Sequence, residues 1–142
     1  MDYSYFPEYV NWADKTILIY EREYCSALIL KELLSSTNIK IIHINKKTIL
    51  ENFYDESIDL IINGIDVYEV INGLKLTREI RLRFPHIPII AHTACPPENA
   101  RECYNAGCEE FIEKPFKFEE LFDKLTKYLE KGNQRFEKNS AM

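Results

Sequence analysis

The chain has 142 residues, 46% of them hydrophobic and 29% charged, and carries a formal net charge of -5. This length and composition suit one domain with a hydrophobic core. The lysine and arginine residues are scattered rather than gathered into a basic stripe, which argues against nucleic-acid binding. No apolar run reaches the roughly 18 residues that a membrane helix needs, and no secretion signal is visible, so we expect a cytoplasmic protein with no membrane contact.

Segments typical of strands alternate with segments of helical periodicity along the chain. Five strands are predicted, at residues 16–20, 39–44, 59–63, 87–93 and 108–113. Five helices follow them, at residues 25–36, 46–54, 72–84, 97–107 and 117–131. Pro97 suits a first helical position, and Gly107 suits a C-terminal cap. Five strand–helix pairs predict an α/β fold, a doubly wound flavodoxin-like (βα)5 sheet with parallel strand order 2-1-3-4-5.

The two ends of the chain differ from this pattern. We predict an aromatic-rich N-terminal extension at residues 1–14, the folded domain at 15–130 and a polar, frayed tail at 131–142. The extension carries five large aromatic residues, Tyr3, Tyr5, Phe6, Tyr9 and Trp12. Because exposed aromatic patches are unusual without a binding role, we expect these rings to pack on the domain, with contact to a partner as the alternative.

The residues that follow the strands are the candidates for a functional site. In a doubly wound sheet, ligands bind beyond the carboxyl ends of the strands. The candidates at this edge are Glu21, Arg22, Glu23, Asn63, Gly64, Asp66, Thr93 and Lys114. The third strand ends in Asn63 and Gly64, neither of which supplies a reactive carboxylate. The cysteines and histidines lack the spacing of a metal site, so we expect no metal and no cofactor.

Five segments, taken in order, resemble the response-regulator receiver domain of bacterial two-component signalling. KTILIYERE resembles the first strand and its acidic turn, DLIIN the residues before the phosphorylated aspartate, and NGLKLTREIR the helix that follows. IPIIAHTA resembles the fourth strand with its switch threonine, and AGCEEFIEKPF the fifth strand with its lysine–proline. The resemblance covers roughly residues 15–130 and implies a CheY-like fold with a role in phosphorelay signalling.

The resemblance also implies roles for the residues at the sheet edge. In receivers, two acids after strand one and the aspartate that ends strand three hold Mg²⁺, and that aspartate becomes an acyl phosphate. A hydroxyl residue and a lysine then bind the phosphoryl oxygens. Glu21 stands at the first acid position, Thr93 at the hydroxyl and Lys114 at the lysine.

Two of the five receiver groups are replaced in this chain. Arg22 occupies the second acid position and Gly64 the position of the nucleophile. Shifting the alignment by one residue places Asn63 there, which is no better nucleophile. We therefore predict a pseudo-receiver that is not an enzyme, does not accept phosphate and binds no Mg²⁺. The loop of residues 64–72 is one residue longer than usual, so we expect its path to differ from that of other receivers.

Two other functions remain open at this point. Asp66 lies two residues beyond Gly64 and is the alternative phosphoacceptor, although a solvated turn aspartate is the simpler interpretation. The second alternative is a sensor of small ligands or anions that uses the vestigial pocket. Flavin binding has little support, because no phosphate-cradling loop follows strand one.

Several contacts are expected around the vestigial site. Lys114 is predicted to pair with Glu21, while Arg22 either points to solvent or swings across to Glu21 where the metal would sit. The peptide bond between Lys114 and Pro115 is a candidate for the cis form. Phe111 matches the switch aromatic of the family, and a core aromatic is the equally good interpretation.

We expect the protein to act as a stand-alone signalling protein through contact with a sensor kinase or another signalling protein. By analogy with the family, the contact surface is residues 97–131, which begins at Pro97 and ends at Lys131, and a homodimer is an alternative use of it. The prolines at positions 96 and 97 restrict the loop after Thr93, which predicts one fixed state there.

Overall fold

The structure is a computed structural model that describes residues 6–7, 9–54, 57–94 and 100–140, with side chains as far as residue 130. The strands are β1 (Thr16–Tyr20), β2 (Lys40–Ile44), β3 (Leu60–Ile65), β4 (Ile89–Thr93) and β5 (Glu110–Glu113). The helices are α1 (Tyr24–Leu34), α2 (Lys47–Glu51), α3 (Val70–Arg83), α4 (Ala100–Ala106) and α5 (Phe118–Ser140). Short 3-10 turns at Ser35–Thr37 and Val67–Glu69 follow α1 and precede α3.

All five strands join one parallel sheet in the order β2-β1-β3-β4-β5. This order confirms the predicted doubly wound α/β fold. Because the strands are parallel, the residues that follow each of them meet at a single edge of the sheet. None of the helices in the described part of the chain is long and apolar enough to cross a membrane.

Both faces of the sheet are covered, which explains the nearly continuous apolar runs in its strands. On one face, Ile61 and Ala91 belong to a core cluster with residues of α2, α3 and α4. On the other face, Ile62 and Ile90 belong to a cluster with residues of α1 and α5. Each fully buried aliphatic side chain stabilises the fold by about 1.5–3 kcal/mol relative to exposure, so these two layers hold the strands in register.

Two of the three N-terminal aromatics that the structure describes, Phe6 and Trp12, pack on the domain as predicted. Phe6 is buried and makes edge-on contacts with the rings of Trp12, Phe118 and Phe122, at centroid distances of 5.7, 5.2 and 5.2 Å. Tyr9 points outward. The other two predicted rings, at positions 3 and 5, lie outside the described residues. The extension is therefore continuous with the core cluster beside α5.

Several predicted boundaries differ from the structure by one to three residues, and two further differences bear on the site and on the tail. The third strand ends at Ile65 rather than Asn63, because Gly64 and Ile65 continue the ladder with β4. The closing helix continues to Ser140, so the predicted frayed tail is helical as far as that residue. A single glycine inside a helix costs only about 1 kcal/mol, and the one at position 132 is too weak a break to end α5.

The predicted helix cap at Gly107 is confirmed. Gly107 has a φ of 123°, which favours glycine, and the amide of Cys108 donates to the carbonyl of Cys103 at 3.1 Å, as in a glycine-terminated helix. The predicted helix start at Pro97 and the predicted stiff loop before it lie outside the described residues. The described part of α4 therefore begins at Ala100, and its predicted C-terminal end is confirmed.

Candidate vestigial receiver site

An open cleft of about 410 Å³ lies at the carboxyl edge of the sheet. Its walls include Glu21 after β1, Gly64 in β3, Asp66 after β3, Ala94 after β4 and Lys114 after β5. Four neighbouring strands thus deliver residues to one place, as expected of a parallel sheet. Six of the eight predicted candidates line this cleft, namely Glu21, Arg22, Glu23, Gly64, Asp66 and Lys114.

Glu21 and Lys114 form the predicted ion pair. The Nζ of Lys114 lies 3.0 Å from Oε1 and 3.2 Å from Oε2 of Glu21, whose side chain is only 4% exposed. The backbone amide of Glu23 also donates to Oε1 of Glu21 at 3.2 Å, and Oε2 of Glu23 lies 3.9 Å from the same Nζ. Both oxygens of the Glu21 carboxylate are therefore occupied by protein donors.

The lack of a side chain at Gly64 is coupled to the position of Glu21. A Cβ atom built on Gly64 would overlap Oε2 of Glu21 and would lie 2.9 Å from the backbone oxygen of Tyr20. The interior of a protein is too closely packed to accept such contacts without rearrangement. The carboxylate of Glu21 thus fills the volume that a side chain at position 64 would need.

Arg22 does not swing across to Glu21. Its Nη1 donates to Oε2 of Glu69 at 2.6 Å, and both side chains are about half exposed. This hydrogen bond raises the pKa of Arg22. Of the two alternatives for Arg22, the approach to Glu21 is wrong, because Lys114 already neutralises that carboxylate while Glu69 of the 3-10 turn lies within reach of the guanidinium.

Asn63 faces away from the cleft. It is fully buried, and its Nδ2 donates to Oγ1 of Thr77 at 2.8 Å, which in turn donates to the backbone oxygen of Gly73 at 2.8 Å. Successive residues of a strand point to opposite faces, so Asn63 and Gly64 cannot share one direction. The alternative alignment that places Asn63 at the nucleophile position therefore finds no support in the geometry.

Asp66 lies on the wall of the cleft as an exposed cap of the 3-10 turn. Its Oδ1 accepts a hydrogen bond of 2.9 Å from the amide of Tyr68, which is the geometry of a turn aspartate. The turn Val67–Glu69 then leads directly into α3. The expected difference between this loop and that of other receivers stays a prediction.

The remaining predicted positions lie beside or below the cleft. Thr93 is fully buried at the end of β4 and does not line the cleft, although its backbone oxygen accepts from the amide of Lys114 at 2.7 Å. Phe111 is buried in the core cluster with Ala91, which favours its structural interpretation. The bond between Lys114 and Pro115 is cis, as suggested.

His92 in β4 was not among the predicted site residues. This side chain is 3% exposed, and neither ring nitrogen has a hydrogen-bond partner within the described part of the chain. Burial, with a smaller contribution from the charge of Lys114, lowers the pKa of His92 to about 3, so the imidazole is neutral. Ile90 and His92 are two residues apart in β4 and therefore lie on the same face of the sheet, which was the signal in the sequence that His92 would be buried.

The residues present do not fit the Mg²⁺ that the receiver resemblance implies. Mg²⁺ requires hard oxygen ligands in octahedral geometry, usually carboxylates. Glu21 is committed to Lys114, a cation stands at the second acid position, and the Oδ1 of Asp66 caps a turn. Among the described residues, no group of three acidic, histidine or cysteine side chains is placed to hold a metal ion. No metal-dependent step can be derived from this arrangement.

Comparison with known proteins gives the same family as the resemblance in the sequence. The family model described as response regulator receiver domain matches residues 17–126. The receiver domain of a sensor histidine kinase from Pseudomonas aeruginosa, solved with a magnesium ion in its active site cleft, is 27% identical, with a TM-score of 0.66 and coverage of 81% of this chain and 97% of that one. A response regulator from Thermotoga maritima is 24% identical, with a TM-score of 0.68 and coverage of 82% and 98%.

A curated relative matches in sequence as well. Hybrid signal transduction histidine kinase L of Dictyostelium discoideum is 34% identical over an alignment of 86 residues, which covers 56% of this chain. The chain spans 5% of the length of that relative. The family model covers well over half of the chain, and the fold and strand order agree with it. The chain belongs to the response regulator receiver domain family of two-component signalling.

Proposed function

We propose that this receiver domain signals by protein–protein contact and does not accept a phosphoryl group. The observation that carries the proposal is the position of Glu21, whose carboxylate fills the space beside Gly64 and is neutralised by Lys114. The edge of the sheet therefore holds a complete internal ion pair at the place where a receiver holds its reactive aspartate.

Three requirements of phosphotransfer are unmet in this arrangement. The reaction needs a carboxylate nucleophile held close to the incoming phosphorus, and Gly64 supplies no side chain. It needs a cation to balance the charge of the phosphoryl oxygens, and Lys114 is already paired with Glu21. It also needs the oxygen ligands of a divalent metal, which the described residues do not assemble.

Incubation with acetyl phosphate and Mg²⁺, followed by intact-mass measurement, tests this proposal. We expect no mass increase under conditions that modify a receiver with the full acidic set, which serves as the positive control. A stoichiometric increase would contradict the proposal. The Asp66→Asn variant then decides the site, because loss of the modification in that variant would identify Asp66, which lines the same cleft, as the phosphoacceptor.

The proposed partner is a sensor kinase or another signalling protein, and residues 97–131 are the proposed contact surface. In its described part, this surface presents a network centred on Glu110, which accepts from Nζ of Lys127 at 2.9 Å and from the hydroxyl of Tyr128 at 2.8 Å. Tyr104 of α4 adds a partly exposed ring. Aromatic residues are enriched at protein interfaces, so the rings of Tyr104 and Tyr128 support this surface. A homodimer through the same surface is the alternative.

Hydrogen–deuterium exchange of the chain, alone and with a captured signalling partner, tests the surface. We expect slower exchange in α4, β5 and the start of α5 when the partner is bound. Protection confined to α1, where Tyr24 and Leu28 are exposed, would place the interface on that helix instead. Sedimentation of the free chain over a range of concentrations tests the homodimer.

A further inference from the structure

The hydroxyl of Tyr20, at the end of β1, is a polar group whose hydrogen-bonding capacity is unused. The side chain is 4% exposed, and its ring belongs to the core cluster that includes residues of α2 and α3. Its hydroxyl has no hydrogen-bond partner in the described part of the chain, and it is not one of the polar atoms that the protein encloses completely. Burial raises the pKa of Tyr20, so the hydroxyl remains protonated and can donate. The hydroxyl of a buried tyrosine usually has a partner, which makes the space in front of this one a candidate site.

A second cleft opens onto this hydroxyl. It has a volume of about 470 Å³ and lies between the end of β1, the start of α2 and the turn that precedes α3, and we call it the α2 cleft. Besides Tyr20, its walls include groups from the start of α2 and from α3, namely Lys46, Lys47, Asn72 and Leu76. Ligand clefts commonly have volumes of about 300–1,000 Å³, so this one has room for a small metabolite.

The charge of the α2 cleft differs from that of the vestigial receiver cleft, the open cleft described above around Glu21 and Lys114. The charged residues that line the α2 cleft are three cations and two acids, Arg22, Lys46, Lys47, Asp66 and Glu69. Those that line the vestigial receiver cleft are two cations and three acids, Arg22, Lys114, Glu21, Glu23 and Asp66. The formal charges are therefore +1 and -1, although the whole chain carries -5. An anion is thus attracted to the α2 cleft rather than to its neighbour.

Lys46 is the cation of the α2 cleft that is most available to a ligand. The guanidinium of Arg22 is bound to Glu69. The Nζ of Lys47 lies 3.7 Å from Oε1 of Glu51, in an exposed and loose pair. Lys46 has no ion pair among the residues that the structure describes. An anion that contacts the ammonium of Lys46 would therefore break no existing pair.

We propose that the α2 cleft binds a small phosphate monoester, whose phosphoryl oxygens accept from the hydroxyl of Tyr20 and from the ammonium groups of Lys46 and Lys47. A phosphate monoester has three terminal oxygens and a charge of about -1.5 to -2 at neutral pH, which suit one hydroxyl and two cations. A carboxylate has two oxygens and a single charge, and it would leave one of these donors unused. The inference goes beyond the proposed function and does not depend on it, because noncovalent binding needs no nucleophile at Gly64.

Titration of the full chain with glycerol phosphate at constant ionic strength, followed by the backbone amide resonances, tests the site. We expect saturable shifts at Tyr20 and at residues 46–48. Acetate is the matched probe without a phosphoryl group, and inorganic phosphate is the matched probe without the organic part. Both should bind more weakly than glycerol phosphate, acetate because it offers fewer oxygens and inorganic phosphate because it loses the contacts with α3.

Two variants test the named donors. Tyr20→Phe removes only the hydroxyl and keeps the buried ring, and we expect about tenfold weaker binding, the ratio that corresponds to one hydrogen bond to a charged group. Lys46→Gln should weaken binding by up to about fivefold, because an exposed ion pair contributes less. The matched controls are Tyr54→Phe and Lys40→Gln, at exposed positions outside the lining of the cleft, and both should keep the affinity of the unmodified protein.

The proposal fails if glycerol phosphate gives no saturable shift, if either matched probe binds as tightly, or if Tyr20→Phe keeps the affinity of the unmodified protein. Shifts confined to the surroundings of Lys114 would place the anion in the vestigial receiver cleft and would contradict the proposal equally. The acetyl phosphate experiment measures a covalent change and is independent of these outcomes, so a failure here leaves the proposed function standing.

Discussion

Glu21 and Arg22 are neighbours in the chain, yet their ion pairs lie in opposite surroundings. The side chains of Glu21 and Lys114 are 4% and 19% exposed, whereas those of Arg22 and Glu69 are 54% and 47% exposed. An exposed pair contributes about 0–1 kcal/mol, because water solvates the separated charges nearly as well. Breaking a buried pair leaves one charge without compensation, which is far more costly.

This receiver fold keeps its partly buried lysine paired although the nucleophile is missing. The lysine at the sheet edge needs a carboxylate, and Glu21 supplies it from the end of β1. The exposed pair of Arg22 only links the first loop to the 3-10 turn before α3. The buried pair should therefore control the stability and chemistry of this edge, and the exposed pair should control neither.

The largest effect should come from Glu21→Gln, which keeps the shape of the side chain and removes its charge. The variant leaves the charge of Lys114 partly buried without compensation, and we expect the free energy of unfolding to fall by about 2–3 kcal/mol. Urea denaturation measures this value. A loss no larger than that caused by breaking the exposed Arg22–Glu69 pair would mean that burial does not make the Glu21–Lys114 pair more important for stability.

The next effect tests the packing of Glu21 against Gly64. We expect Gly64→Ala to destabilise the protein by about 2 kcal/mol, because its Cβ would displace the Glu21 carboxylate. In the Glu21→Ala background the space is open and the cost should shrink. A double-mutant cycle measures this coupling, and strictly additive effects would mean that the two residues do not compete for one volume.

His92 should make the stability depend on pH at the same edge of the sheet. Its pKa is about 3 in the folded protein, below the ordinary value of 6.5, so the unfolded chain binds a proton that the folded chain refuses. This contribution is fully present above pH 6.5 and is lost as the pH falls towards 3. Linkage gives a loss of up to about 2 kcal/mol between pH 7 and pH 5.

The matched variants are His92→Phe and His86→Phe, the latter at an exposed position. Urea denaturation of both at pH 7 and pH 5 measures the contribution of each histidine. We expect the difference between the two pH values to shrink in His92→Phe and to persist in His86→Phe. An unchanged difference in His92→Phe would show that this imidazole is protonated equally in the folded and unfolded chains.

The smallest effect should come from the exposed pair. We expect Arg22→Met and Glu69→Gln each to change the free energy of unfolding by about 0–1 kcal/mol, with a smaller change at high salt. Urea denaturation at low and high salt measures both. A loss comparable to that of Glu21→Gln would mean that solvent exposure does not separate these two pairs.

The fold could be predicted from the sequence because each strand is an apolar run bounded by turn residues, and parallel pairing follows from the helices between them. The missing nucleophile at Gly64 was also visible. The placement of Glu21 in the vacated space was not, since sequence position does not fix a side-chain rotamer. The partner of Arg22 was missed because Glu69 lies 47 residues away and meets it only through the turn before α3. The strand periodicity places His92 on a buried face, but a single histidine in an apolar strand is easy to overlook as a site residue.

The most direct test of the central claim is a calorimetric titration of the chain with millimolar Mg²⁺. We expect no saturable heat, because the carboxylate of Glu21 is committed to Lys114 and Gly64 supplies no ligand. A receiver with the full acidic set, titrated in parallel, should give a saturable signal. A saturable signal from this chain that disappears in Glu21→Gln would show a working metal site and would contradict the account.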